Sequence, residues 1–565
     1  MKKKLIYTLL AVLLLVGGGF LGYGAYKSAR QSSLIQTAKN YLAKHDEKAA
    51  LLCLRRAIRY NPKDAEASRL MAQLAERERS PAALYWRNQV VQIIPKSTED
   101  RLALAQTAMI FGDHAAATNA LEGVDPASKK TANYQNVAGS VAASAGLATQ
   151  AEAYFLEANR LEPKNAVFQM NLAVIRLHST NEPSLAVARS TLTQLSANTT
   201  NANLRCQALR ELTVDSLRFR NAENALTLCN RLVQDTNSSF SDRLLQLDVL
   251  SMANTNEVKS ALAACQNDVG TNAGRIFELA KWQMLHTGPS PTLSWLNTLP
   301  ALLRTNMPAE LFVVECHAAN QNWKALQAAV DGQNWGEMEY TRRAFKTLAL
   351  RGQDLGGAAK AEWEVALKIA NDLSVNRRPQ NPQPLFAMLQ FAARWKWQSE
   401  AEDLLWSIVN NFPNEKKSTQ ALTEVLYAGG RTRPLMLLFS QLNKKFPSDL
   451  GIKNNLAVTA MLLDAKELKP HELALDVYQK APTNSAFASS YAFSLYLQQK
   501  TPDALKIMQT LPAKDLENPS IAGYYGLILK ASGKGTLAKP YLQWAFKSQL
   551  LPEEKKLFEK AVAGT

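Results

Sequence analysis

From Ser32 to the end of the chain, apolar residues recur at helical spacing in pieces of about 12 to 15 residues, separated by short polar or Pro/Gly breaks. Alternating strand patterns are missing, so the pattern predicts an all-α body. Ahead of it lies a different kind of segment. Leu5 to Tyr26 is uncharged over 22 residues, with the apolar heart LIYTLLAVLLLV, and follows Lys2, Lys3 and Lys4. As a helix it measures about 33 Å at ~1.5 Å per residue, enough to cross a hydrocarbon core of about 30 Å. The expectation is an uncleaved single-pass anchor. A cleaved secretory signal is the competing reading, with small residues at Gly17 to Gly19, Gly22 and Gly24. The three lysines favour a cytoplasmic amino terminus and an extracytoplasmic body at a bacterial-type inner membrane, against the opposing pull of Lys27, Arg30, Lys39 and Lys44. Gly18 and Gly22 have the spacing that lets two membrane helices approach, which leaves homo-oligomer formation open.

The breaks in the body are periodic. Pro62 and Pro95 are 33 residues apart, Pro413 and Pro447 are 34 apart, and Pro95 to Pro163 is 68, two periods of 34. Small residues recur between them at fixed offsets from one large apolar residue. Tyr41, Ala50, Leu54 and Ala57 precede Pro62; Gly139, Ala151, Phe155 and Ala158 precede Pro163; Ala401 and Leu405 precede Pro413; Gly526, Ala538, Leu542 and Ala545 repeat the offsets near the end. A small residue at a helix crossing lets the backbones approach while the large one fills the adjacent hole.

In this 34-residue helix-turn-helix period and its small-residue positions, the chain resembles the tetratricopeptide-repeat superfamily over about two thirds of its length. The fold class this implies is an α-solenoid of paired helices following the single amino-terminal transmembrane helix. HEAT-like solenoids are the alternative, and the 34-residue proline spacing argues against them. The expected organisation is a basic tail and anchor over 1–30, a first array over 31–275, an irregular tryptophan-rich stretch over 276–384, and a second array over 385–565. NRRPQNPQP, Asn376 to Pro384, is the clearest break, and the final PEEKKLFEKA suits a solubilising cap.

Charge adds little to this picture once it is located. Lys plus Arg number 65 against 49 Asp plus Glu, a net charge of +16. The first 60 residues hold eleven cations and two anions, so +9 of the excess flanks the amino-terminal segment. No helix bears a basic stripe with interleaved aromatics, so no nucleic-acid partner is expected.

Chemistry is sparse. None of the six histidines makes a zinc motif, and the adjacent Cys316 and His317 point about 100° apart on a helix. Cys206 and Cys229 fall on consecutive predicted helices with an axial offset of roughly 7 Å, poor geometry for a disulfide. ASGKGT at 531–536 has the wrong spacing for a phosphate loop and reads as a turn. No catalytic residue, metal site or cofactor is expected, and the chain is read as a non-enzyme.

What remains is recognition. The resemblance implies that proteins or extended peptides lie along the face lined by the first helix of each pair. Asn171 and Asn455 stand just before the small-residue crossing, where asparagines of some family members hold a peptide backbone; a solvated helix-face asparagine is the plainer reading. The lysine-and-asparagine clamp by which some members grip a terminal carboxylate is not recognisable here. Eight of ten tryptophans lie between Trp282 and Trp406. Trp395 and Trp397 among them are candidates for a peptide or glycan surface, with core packing favoured. The functional expectation is a membrane-anchored scaffold for protein partners, with membrane contact through Leu5 to Tyr26. The alternative is an extracytoplasmic peptide- or glycan-binding protein.

Overall fold

The chain punctuates its helices in two kinds of place, inside the pairs and between them. Residues 26–377 and 380–563 are described by a computed structural model. Inside most pairs, the first helix ends in a residue of positive φ that turns the chain back on itself. Arg79, Gly112 and Gly146 do this in succession, as do Lys396, Gly430, Asp464, Gln499 and Gly533, at intervals of 33 to 35 residues. Gly146 adopts φ +77° without steric cost, whereas Gln499 at +64° pays roughly 1–2 kcal/mol for its β-carbon.

Between pairs, the prolines stand two residues before a helix-capping side chain. Pro62, Pro95, Pro163 and Pro447 precede Asp64, Ser97, Asn165 and Asp449, each of which accepts a backbone N–H from the first turn of the next helix. Each such cap contributes about 1 kcal/mol. First helices therefore begin at Ala65, Thr98, Ala132 and Ala166, successive starts 33, 34 and 34 residues apart. They begin again at Lys416, Leu450, Ser485 and Pro519, at steps of 34, 35 and 34. ASGKGT is such a turn, with Gly533 at φ +73° between helices Pro519–Ala531 and Gly535–Ala545.

The small-residue positions are where the two helices of a pair touch. A β-carbon on Gly139 would lie 2.6 Å from the Phe155 ring. One on Gly526 would lie 2.7 Å from Leu542 Cγ and 3.0 Å from its backbone nitrogen. Ala50, Leu54, Ala57, Ala151, Ala158, Ala538, Leu542 and Ala545 are all completely buried.

The chain divides into two compact units, with the boundary after Trp282. The first is a run of helix pairs. The second opens with short or interrupted elements, among them Pro289–Leu296, Ala301–Arg304 and Trp323–Val330, and a π-helical turn at Asp372–Asn376. It becomes regular from Gln383–Arg394 onward, where Pro384 occupies the first turn. The last helix, Pro552–Ala563, closes this second array.

The expected single-pass membrane placement is corrected. No helix among the described residues is long and apolar enough to cross a membrane. The segment Leu5 to Tyr26 lies outside them except for Tyr26, which belongs to a helix over 26–43 that carries Lys27, Arg30 and Lys39. Charged side chains on that helix are incompatible with a hydrocarbon environment.

Because the Gly526 contact includes backbone, it cannot relax by moving a side chain. Gly526→Ala should therefore lower stability by about 1–3 kcal/mol, although alanine is the better helix former. Gly357→Ala, which meets nothing within 4 Å, is the control and should be neutral or stabilising. Thermal melts followed by circular dichroism separate the two; equal melting temperatures would refute the crossing as the tight contact.

Candidate recognition site

The first helices of successive pairs share one face, and the two arrays use it differently. In the first array, polar side chains bridge from one first helix to the next. Gln31 donates to Asp64 at 2.6 Å. Arg69 grips Asp100 through two bonds of 2.7 and 2.6 Å. Asn171 donates its amide to Asn136 at 2.7 Å, and Arg210 holds Asp242 at 2.6 and 2.9 Å. Ser241 donates to Glu278 at 2.8 Å. The Asp242 side chain is fully buried, and burial pushes its carboxyl upward in pKa. The bonds from Arg210 and from the Ser239 N–H and hydroxyl outweigh this and hold it below the ordinary aspartate value. Asn171, a sequence candidate, is thus a rung of this ladder.

The second array leaves the corresponding row unbridged. Thr419, Asn454 and Ser489 stand 35 residues apart on three successive first helices, the same separation as Asn136 and Asn171. Yet Thr419 Oγ1, Asn454 Oδ1 and Ser489 Oγ are buried without a partner. Asn454 and Ser489 line a chamber of about 360 Å³ together with the neighbouring Asn455. Its walls come from the four first helices Lys416–Ala428, Leu450–Leu462, Ser485–Leu497 and Pro519–Ala531. Leu435 and Phe439, on the second helix Thr432–Lys445, supply part of its apolar side.

The closing helix returns to the start of this array. Leu551, just before it, is 2% exposed and joins the apolar cluster of Leu435 and Phe439. Gln549 donates to the helix-end carbonyls of Tyr427 and Ala428 at 3.2 and 3.0 Å, and the Thr432 hydroxyl bonds Glu553. Glu554, 7% exposed, accepts from the Tyr524 hydroxyl at 2.5 Å, the Leu551 N–H at 2.9 Å and the Tyr427 hydroxyl at 3.5 Å. Burial raises its pKa above the usual carboxylate range, against the pull of those donors. The same burial, with the Glu554 charge beside them, pushes both phenols up.

Sequence candidates fall into this frame unevenly. Asn455 is exposed on the chamber wall. Trp395 and Trp397 are half-buried in a chain of rings: Phe345 to Trp395 at 5.5 Å, Phe391 stacked on Trp395 at 5.0 Å, Trp395 to Trp397 at 4.8 Å, and Trp397 to Trp363 at 5.3 Å. The Arg351 guanidinium covers Trp397 at 4.0 Å. Trp282 and Trp335 are buried and donate to Asp248 at 2.7 Å and Glu310 at 2.9 Å. A β-carbon at Gly352 would run into the Trp323 ring. Cys206 and Cys229 are buried free thiols, pushed up by burial to about 11 and about 12. Cys316 is fully buried against Met284, and burial lowers the pKa of His317. Among the described residues no three His, Cys, Asp or Glu side chains converge on a metal position. Sequence reasoning missed Asn454, Tyr427, Tyr524 and Glu554. The apolar Leu550-Leu551 ahead of PEEKK is the signal that the last helix docks rather than merely solubilises.

The class this geometry defines is an all-helical, tetratricopeptide-like repeat protein. No family model and no curated protein matches the chain. Among solved structures, it is similar to the anaphase-promoting complex hetero-tetramer Cut9-Hcn1, at 12% identity over 94% of this chain and 96% of that one, with a TM-score of 0.30. It is also similar to PilW, a widely conserved type IV pilus biogenesis factor, at 15% identity over 47% of this chain and 98% of that one, with a TM-score of 0.24. At these scores the likeness carries no argument about function, and the class rests on the helix pairs themselves.

The ladder generates a pH prediction. Because the Asp242 pKa is lowered on folding, its contribution is present above the unfolded value of about 3.9 and is lost as the pH falls through the folded value. Asp242→Asn should cost about 2–3 kcal/mol at neutral pH, less than the ~3–5 of a fully enclosed pair, since the Arg210 side chain is 38% exposed. Urea unfolding of wild type and variant at pH 7 and pH 3 checks it: the gap between them should narrow in acid, and an unchanged gap would refute the assignment.

Proposed function

We propose that the protein is a non-catalytic scaffold that recognises other proteins, and that a partner segment lies along the first-helix face of the second array, across Asn455. One observation carries the reading. The first array uses its shared polar row to bind repeat to repeat, whereas the second keeps Asn454 and Ser489 unbridged beside the exposed Asn455, on the wall of a chamber. Buried polar groups without partners are costly, and a ligand that completes their hydrogen bonds recovers that cost on binding. Side chains that already cross-link repeats have less of this capacity left. The reading needs no membrane anchor.

The test is affinity capture with the full chain against a variant carrying Asn455→Arg and Val458→Arg, both on the chamber wall. At least one protein captured by the wild type should fall by about ten-fold or more, a change of about 1.4 kcal/mol, while the thermal melt stays unchanged. Recovery of the same proteins in the same amounts by both forms would refute the reading.

A further inference from the structure

We propose that the chamber of the second array binds a positively charged, hydrogen-bond-donating group on an apolar stem: a primary ammonium or a guanidinium. The charge of the lining comes first. Glu554 is its single carboxylic acid, and no Lys, Arg or His is among the lining residues. An anion entering here would meet the Glu554 carboxyl with no cation to offset it, whereas a cation would give that buried carboxyl a counter-charge.

Hydrogen-bond polarity points the same way. The hydroxyls of Thr423, Thr459 and Ser490 donate to the carbonyls of Thr419, Asn455 and Ala486, at 2.9, 2.7 and 3.0 Å. The protons of Tyr427 and Tyr524 go to Glu554. With Ser520, whose hydroxyl donates to Asn518 at 2.8 Å, six of the seven lining hydroxyl protons are already committed, all but that of Ser489, and what the six still offer is oxygen lone pairs. Asn454, 7% exposed, adds an acceptor oxygen that meets nothing in the protein. Glu554 has three donors for its roughly four lone-pair sites, and the Tyr427 contact, at 3.5 Å, is the weakest of them. An ammonium carries three donors and a guanidinium five, with no acceptors, which complements an acceptor-rich wall.

Shape and apolar surface complete the fit. The volume of about 360 Å³ lies near the lower end of the roughly 300–1,000 Å³ typical of ligand pockets. Leu435, Phe439, Val458 and Ile521 line the same space, so an alkyl stem can stay in apolar contact while its charged end reaches Glu554. The cation has two sources, a lysine or arginine side chain of a protein segment lying across Asn455, or a free alkyl amine. The first source rests on the scaffold reading above; the chemistry of the chamber does not.

Calorimetric titration of the full chain with n-butylammonium, n-butylguanidinium, n-butyrate and n-butanol tests the proposal. One of the cations should bind at least about ten-fold more tightly than both butyrate and butanol. Glu554→Gln should remove that preference. If this variant does not fold, Asn454→Leu carries the test: it leaves the bonds of the closing helix in place and should weaken the cation by about ten-fold. Equal or tighter binding of butyrate or butanol, or cation binding untouched in the folded variants, or no binding by either cation, would overturn the proposal. Nα-acetyl-lysine N-methylamide separates the sources. Tighter binding than butylammonium supports the protein side chain, and butylammonium binding with no gain from the amide supports the free amine and counts against the scaffold reading alone.

Discussion

Everything else in this structure depends on how closely the two helices of a pair can cross. At Gly139 the Phe155 ring occupies the space a β-carbon would need, and at Gly526 Leu542 does so with both side chain and backbone. Contacts this short fix the depth and register of each crossing, because a packed interface of interdigitating side chains has few alternative arrangements. Repeating one crossing at steps of about 34 residues puts every first helix on the same side of its array. The shared face, and therefore any recognition surface, is a consequence of that repetition.

The same face then serves opposite purposes. Arg69 with Asp100 and Arg210 with Asp242 are two-bond pairs between consecutive first helices, and each satisfies a carboxylate that would be costly to bury alone. These rungs tie repeats together and take up part of the hydrogen-bonding capacity of the row. In the second array the row contains Thr419, Asn454 and Ser489, whose side-chain oxygens find no partner across to the next first helix. Asn454 and Ser489 leave the cost of being unpaired at the chamber, which the closing segment lines through Leu551 and Glu554.

The irregular opening of the second unit shows a different solution to packing. Around the eight-residue helix Trp323–Val330 large rings join buried alanines such as Ala344 and Ala349 in the interior, and their polar edges find carboxylates, as Trp335 finds Glu310. Of the tryptophans between Trp282 and Trp406, Trp282, Trp295, Trp335 and Trp363 are buried. Trp395 and Trp397 have much of their surface covered by neighbouring rings and by Arg351.

The amino-acid sequence by itself determined the helical class, the 34-residue period and the tight crossings, because these are local or pairwise matters. Pro62 announces the cap at Asp64 two residues on, and Gly139 announces the large Phe155 sixteen residues on. Much of the turn periodicity was hidden, since Arg79, Lys396 and Gln499 take the left-handed position despite the steric cost of a β-carbon and carry no turn signature. Asn455 was legible as a candidate, but its neighbour Asn454 was not, because one helical step separates an exposed amide on the chamber wall from a buried one. Only the tertiary structure decided that Asn171 is bonded to Asn136 while Asn454 has no partner, and that Glu554 meets Tyr427 from 127 residues away. Those facts depend on which side chains several repeats bring together, and no periodicity along the chain encodes whether two polar groups on neighbouring helices are long enough to meet.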